Sequence, residues 1–262
     1  MTRLKQIILT LPLLLLPLTA MAQTPEEKGL AIAREVDQRD NGFQDSTAKM
    51  TMTLKNRAGQ ESFRYIRFKT LEVEGDGDKS LSIFDKPRDI KGTAMLTFSH
   101  ATKPDDQWMY LPALKRVKRI SSRNKSGPFM GSEFAFEDLG SQEVEKYHYK
   151  WLRDEPCNGL DCFVVERRPA YEHSGYTRQE VWIDKEAYRV QKAVYYDRKN
   201  SLLKSQTFSG YKQYLNKFWR TTTMEMVNHQ TGKSTQLLWE DYQFRVGLDS
   251  NDFNRNSLKR AR

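Results

Sequence analysis

From Gly42 onward the chain alternates. Ala48, Met50, Met52 and Leu54 take every second position, with Thr47, Lys49, Thr51, Thr53 and Lys55 between them. That period of two puts successive side chains on opposite faces of a strand. Comparable strand-like runs cover 62–70, 79–84, 93–99, 107–111, 116–120, 143–153, 162–168, 177–183, 189–196, 201–211, 220–228 and 234–244. Turn formers punctuate them: Gly75-Asp76-Gly77-Asp78, Lys86-Pro87-Arg88-Asp89, 197–200 and Gln230-Thr231-Gly232. About a dozen strands on short connections predict an antiparallel meander, either a barrel or a strongly curved sheet. The apolar residues fall on one side, so that face has to be covered.

Helical spacing appears once with conviction. Thr24 can cap a helix, Pro25 suits its first position, and Glu27 completes a capping box. Leu30, Ile32, Ala33 and Val36 form a narrow apolar stripe, and Asn41-Gly42 supplies the stop. This helix, the 128–139 stretch and a short tail can cover a concave sheet in part. They cannot fill it tightly. No linker rich in Gly, Ser or Pro interrupts the chain, and there is no internal repeat, so 23–262 is expected to be one domain.

Residues 1–22 stand apart. Arg3 and Lys5 precede an apolar run from Ile7 to Leu18, and Ala20-Met21-Ala22 fits a cleavage site. The pattern is that of a secretory signal peptide, too short and too broken by proline for a membrane span. Cleavage leaves no cysteine at the new start to carry a lipid anchor, so a soluble periplasmic protein is expected. The formal charge of +9 then falls to about +7, which favours anionic partners without choosing among them. Nucleic acid is not expected, because the chain is exported and carries no binding motif. The two cysteines, Cys157 and Cys162, flank an Asn158-Gly159 turn. In an oxidising compartment the turn and the leader predict a local disulfide, the alternative being two free thiols.

The stretch from Trp108 to Leu139 carries the most information. Trp108-Met109-Tyr110-Leu111-Pro112-Ala113-Leu114 runs into Lys115, Arg116, Lys118, Arg119, Arg123 and Lys125. Directly afterwards, in a chain whose mean hydropathy is −0.77, comes Gly127-Pro128-Phe129-Met130-Gly131-Ser132-Glu133-Phe134, then Phe136-Glu137-Asp138-Leu139. This order resembles the signature of the outer-membrane lipoprotein-sorting-protein-like family, relatives of the LolA lipoprotein carrier. The likeness extends through the 161–166 hairpin and Val181-Trp182-Ile183-Asp184.

The resemblance implies a mainly β fold, a curved antiparallel sheet or incomplete β-barrel with a few helices as a lid over a hydrophobic cavity. It implies a carrier that takes acyl chains of a lipoprotein or another lipid from inner-membrane machinery to an outer-membrane acceptor. Longer relatives of this kind are often paired with exporters of the resistance-nodulation-division class. On this reading the cavity and its lid are expected to use Met50, Met52, Leu54, Trp108, Tyr110, Phe129, Met130, Phe134, Phe136, Leu139, Trp182, Met224 and Met226. Gly127 and Gly131 would act as hinges, and Lys115, Arg116, Lys118 and Arg119 would dock a partner. The alternative is an exporter adaptor that binds protein through its basic surface and carries nothing.

Enzyme chemistry finds little support. Ser122 to Lys125 matches S-x-x-K but lies in a polar loop without the companion motifs. His100, His148, His173 and His229 show no metal-ligand spacing, and no cofactor motif occurs. Glu133, Glu137 and Asp138 are expected to pair with the basic hairpin or to stay solvated rather than to form a catalytic cluster.

Overall fold

The computed structural model describes residues 23–260, so the signal peptide expected over 1–22 lies outside them. Helix α1 spans Pro25–Asp40. The Thr24 hydroxyl accepts from the Glu27 amide, and the Glu27 carboxylate accepts from the Thr24 amide, as the capping box requires.

Fifteen strands follow among the described residues: β1 (Asp45–Lys55), β2 (Glu61–Leu71), β3 (Lys79–Lys86), β4 (Ala94–Phe98), β5 (Asp106–Leu111), β6 (Arg116–Ile120), β7 (Tyr147–Cys157), β8 (Leu160–Pro169), β9 (Tyr176–Asp184), β10 (Val190–Asp197), β11 (Leu202–Ser209), β12 (Lys212–Tyr214), β13 (Phe218–Arg220), β14 (Thr223–Asn228) and β15 (Ser234–Phe244). Thirteen form one antiparallel sheet in the order β6-β5-β4-β3-β2-β1-β15-β14-β11-β10-β9-β8-β7. The last strand returns beside the first, while β6 and β7 stay at opposite edges. The result is a curved, unclosed sheet: of the barrel and the curved sheet that the alternation allows, it is the second, the incomplete form that the family resemblance implies.

Two strand boundaries differ from the sequence reading. The run at 143–153 starts later, because Val144–Lys146 winds into a 3-10 turn before β7. The runs at 201–211 and 220–228 are broken by β12 and β13, which pair only with each other as a separate two-stranded arm. The break sits where Gly210 takes φ +67° against Thr222, whose amide and hydroxyl bond back to Ser209 and Gly210.

The alternation also has an exception. On β3 and β4 the outward side chains Leu81, Ile83, Ala94 and Leu96 are apolar too, and Phe253 and Leu258 of the C-terminal segment cover them. Leu258 belongs to α2 (Arg255–Arg260). The principal core lies on the concave side, where Met50, Met52, Ile66, Phe84, Met226 and Leu237 are buried. Helix α1 adds Ile32 to it, and the β6–β7 connection adds Phe129 and Phe134.

Candidate functional site

Helix α1 reaches β7 through its least bulky residue. A Cβ placed on Gly29 would lie 2.6 Å from the Trp151 nitrogen and 2.8 Å from the Lys150 nitrogen. Only glycine lets the helix approach so closely. Towards its C-terminus α1 covers a cavity instead of the sheet. Asp40 pairs there with Arg220 of the arm, and Arg39 donates to the Glu186 carbonyl at 3.2 Å while lying 4.4 Å from the Tyr188 ring centroid. The helix is thus packed at one end and held by polar contacts at the other.

The space beneath it measures about 1860 Å³. Ala33 and Val36 of α1 face Ala48 and Phe68 of β1 and β2, Val165 and Val181 of β8 and β9, and Met224 and Trp239 of β14 and β15. Trp219 of the arm completes the wall. Trp239 packs on Phe68 with ring centroids 4.7 Å apart. The volume exceeds that of ordinary small-molecule pockets, and the lining combines this apolar wall with a comparable number of polar and charged residues.

Carboxylates cluster along one side: Asp37, Asp40, Glu72, Asp78, Glu143 and Glu145. Glu72 is committed to the Gly42 and Gln44 amides. Burial, reinforced by Glu143, Glu72 and Asp40, pushes Asp78 up to about 7. Asp76 goes the other way, to about 2, because His100 Nδ1 bonds its carboxylate at 2.7 Å and the Ala101 amide adds a second bond.

The 127–139 stretch crosses the concave face from the β6 edge towards β7. Phe129 and Phe134 are 0 % and 2 % exposed, and the Phe129 amide donates to the Phe134 carbonyl at 2.7 Å. Met130 and Gly131 take φ +49° and +80°, whereas Gly127 stays outside the left-handed region. Acidic side chains tie the stretch down. Asp138 accepts from Lys204 Nζ (2.7 Å), the Tyr176 hydroxyl (2.9 Å) and the Ala135 amide (2.7 Å). Glu137 accepts from the Tyr171 and Ser174 hydroxyls and the Gly175 amide, and burial raises its carboxyl above the usual range. Glu133 takes the Asn228 amide group at 2.7 Å. These three carboxylates therefore pair across the concave face and not with the basic hairpin.

A family model whose description reads "uncharacterized protein" matches residues 76–260. The crystal structure of an outer membrane lipoprotein-sorting protein domain from Vibrio parahaemolyticus is 62% identical, with a TM-score of 0.88 over 89% of this chain and 99% of that one. The chain belongs to the outer membrane lipoprotein-sorting-protein-like family. A DUF1329 family protein from Desulfovibrio piger is 32% identical, with a TM-score of 0.85 over 90% of this chain and 99% of that one. A LolA superfamily protein from Nitrosomonas europaea shares the fold at 19% identity and a TM-score of 0.71, over 87% of this chain and 98% of that one. No curated protein matches the chain.

Within this family framework, the residues expected at the cavity scatter. Met224 lines it. Met50, Met52, Met226, Phe129 and Phe134 are buried together beside it in the concave core, and Leu54, Met130, Phe136 and Leu139 pack on that cluster half-buried. Trp108, Tyr110 and Trp182 point to the convex face: the first two join the cluster under Phe253, the third packs with Cys162 and Val164. The period of two explains the misplacement. Met109 and Val181, one position from Trp108 and Trp182, hold the inward places. The stretch at 127–139 is a plug of core, and the element over the cavity is α1.

Sequence reasoning missed Phe68, Val165, Val181, Trp219 and Trp239. Their alternation marks the face but not which part of it is left unfilled. Val36 belongs to the apolar stripe of α1, and that stripe is the signal the sequence offers. Cys157 and Cys162 form the disulfide, with Cα atoms 5.9 Å apart. Lys115, Arg116 and Lys118 are exposed with no ion pair among the described residues, whereas Arg119 pairs with Asp106. Lys125 lies 3.4 Å from the Tyr171 ring centroid, turned to the aromatic instead of completing an S-x-x-K pair. No helix among the described residues is long and apolar enough to cross a membrane.

Proposed function

We propose that the protein is a soluble periplasmic carrier that shields the acyl chains of a lipoprotein or lipid beneath α1 and passes them from inner-membrane machinery to an outer-membrane acceptor. The observation that carries this reading is the cavity of about 1860 Å³ between α1 and the concave sheet, walled by Val36, Phe68, Val165, Val181, Met224 and Trp239. Each methylene kept from water is worth about 0.8 kcal/mol, so a long acyl chain needs such a wall to travel through an aqueous space. Met224 and the aromatic rings adapt to chains of varied shape. Lys115, Arg116 and Lys118, exposed and without an ion pair among the described residues, support docking to an acidic face of a transporter, with the resistance-nodulation-division class as the favoured partner.

Mass spectrometry of organic extracts from protein purified out of the periplasm tests the reading. Co-purifying acylated molecules are expected. A clean extract from protein that is retained tightly by a membrane protein would replace the carrier with an adaptor. Binding of a fluorescent fatty-acid analogue separates cavity from plug. Val36→Asp and Met224→Asp should lose binding with the fold intact, because a charge enters the cavity wall. Phe134→Asp should instead unfold the protein, since Phe134 is 2 % exposed in the core.

A further inference from the structure

We propose that the cavity selects amphiphiles with an anionic head, a carboxylate or a phosphate, and holds that head inward against Arg167; this rests on the carrier reading of the same cavity. Four arginines line it: Arg39, Arg167, Arg189 and Arg220. Three have carboxylates of their own. Arg39 pairs with Glu35 at 2.7 Å, Arg189 with Asp184 at 2.9 Å, and Arg220 with Asp40. Arg167 has no ion pair among the described residues. Its Nε donates to Gln179 Oε1 at 2.5 Å, and its guanidinium lies 5.1 Å from the Tyr147 ring centroid.

Burial is the largest influence on Arg167 and acts against its charge; the neighbouring groups that follow are phenols, Tyr147, Tyr195, Tyr149 and Tyr171. Burial holds all four above the ordinary phenol range, so they are neutral at physiological pH. Nearby carboxylates are used elsewhere, Glu137 by Tyr171, Ser174 and Gly175, and Asp138 by Lys204 and Tyr176. A guanidinium is always charged and presents five donors. Nε is engaged by Gln179 and the guanidinium also bonds the Tyr195 hydroxyl, both uncharged partners, so its remaining N–H donors can meet a carboxylate or phosphate.

The sheet register turns this cation into the end of a binding path. Arg167 stands opposite Gln179 across β8 and β9, and the next inward pairs are Val165 with Val181 and Phe163 with Ile183. Of these, Val165, Val181 and Ile183 line the cavity, so the polar rung is followed by an apolar wall, the order of head and chain in a fatty acid or lysophospholipid. Beyond Arg167, away from the valines, Tyr147, Tyr176 and Tyr195 are buried, so the guanidinium marks the inner end of the path. The ester- and amide-linked chains of an acylated cysteine carry no anion to place there. The geometry therefore favours a free acid or a phosphate-bearing lipid over lipoprotein as cargo.

Delipidated protein is titrated with a fluorescent polyene fatty acid and with its methyl ester, then competed with lysophosphatidic acid and with inorganic phosphate. The acid should bind about tenfold to a hundredfold more tightly than the ester, the range of a hydrogen bond to a charged group. Arg167→Met should bring the acid down to the ester's affinity and leave the ester unchanged, while Arg167→Lys keeps part of the preference. Competition by lysophosphatidic acid assigns the site to phosphate heads as well, and its failure assigns it to carboxylates. Displacement of the probe by inorganic phosphate as readily as by the lysolipid would overturn the role of the chain. Equal binding of acid and ester by the unsubstituted protein overturns the proposal whether or not the Met variant folds, and leaves the carrier reading standing. Binding of neither ligand by folded protein overturns both.

Discussion

Lys204 on β11 and Asp138 in the β6–β7 connection meet at 2.7 Å, with side chains only 4% and 6% exposed. Sixty-six positions separate them in the chain. The ammonium also donates to the Glu133 carbonyl at 2.8 Å, so one buried cation fastens both ends of the Glu133–Asp138 turn to the sheet. Removing one partner strands the other as an uncompensated buried charge, at about 3–5 kcal/mol. Asp138→Asn and Lys204→Met should each lower the unfolding free energy from urea titration by that order, and the double variant should recover part of the loss. Additive losses in the double variant would mean the two residues do not act as a pair.

Gly29 sets helix propensity against packing. In an exposed helix, alanine would gain about 1 kcal/mol over glycine. Here a Cβ would press on the backbone of Lys150 and Trp151, which cannot rotate away, and overpacking of that kind costs about 1–3 kcal/mol. Gly29→Ala should therefore lower the melting temperature and make α1 easier to cleave by protease. A rise in melting temperature would show that α1 does not depend on this contact.

Asp78 gives the protein a stability slope across neutral pH. Its carboxyl is raised to about 7 in the fold, above the ordinary value of 3.8, so the folded state holds a proton that the unfolded chain has released. The resulting stabilisation is full below about pH 4 and is lost as pH rises through 7. Asp76, held near 2, changes only below that window and with opposite sign. Unfolding free energy measured from pH 5 to pH 8 should fall with rising pH, and Asp78→Asn should flatten the slope. An equal slope in the Asn variant would assign it to other groups.

The Cys157–Cys162 bond closes a short hairpin on the convex side, where Cys162 packs with Val164 and Trp182. A short loop gives modest stabilisation, on the order of 2 kcal/mol. Replacing both cysteines with serine should cost about that much in denaturant titrations and leave fatty-acid affinity unchanged, because neither residue lines the cavity. Mass measurement before and after reduction should differ by two hydrogens.

Local rules sufficed wherever the answer was local. Thr24, Pro25 and Glu27 specify their helix start within four residues, and the period of two through Met50 and Met52 specifies a strand with an apolar face. The Asn158-Gly159 turn brings two cysteines into register. A partly covered concave face was legible as well, since there are many one-sided strands and one good helix, whereas the openness of the sheet came from the family resemblance, the strand pattern alone allowing a closed barrel. Which part of that face stays uncovered depends on contacts between residues far apart in sequence. Phe129 and Phe134 look like a lid from their glycines and their isolation, and become core because Lys204, Tyr176 and Asn228 hold that stretch against the sheet. Trp108 and Trp182 look like lining from their size, and face outward because strand register assigns the inward places to Met109 and Val181. Arg167 is one basic residue among many in the chain. Only the tertiary structure, by giving the other cavity arginines carboxylates and this one phenols, leaves its charge free for a ligand.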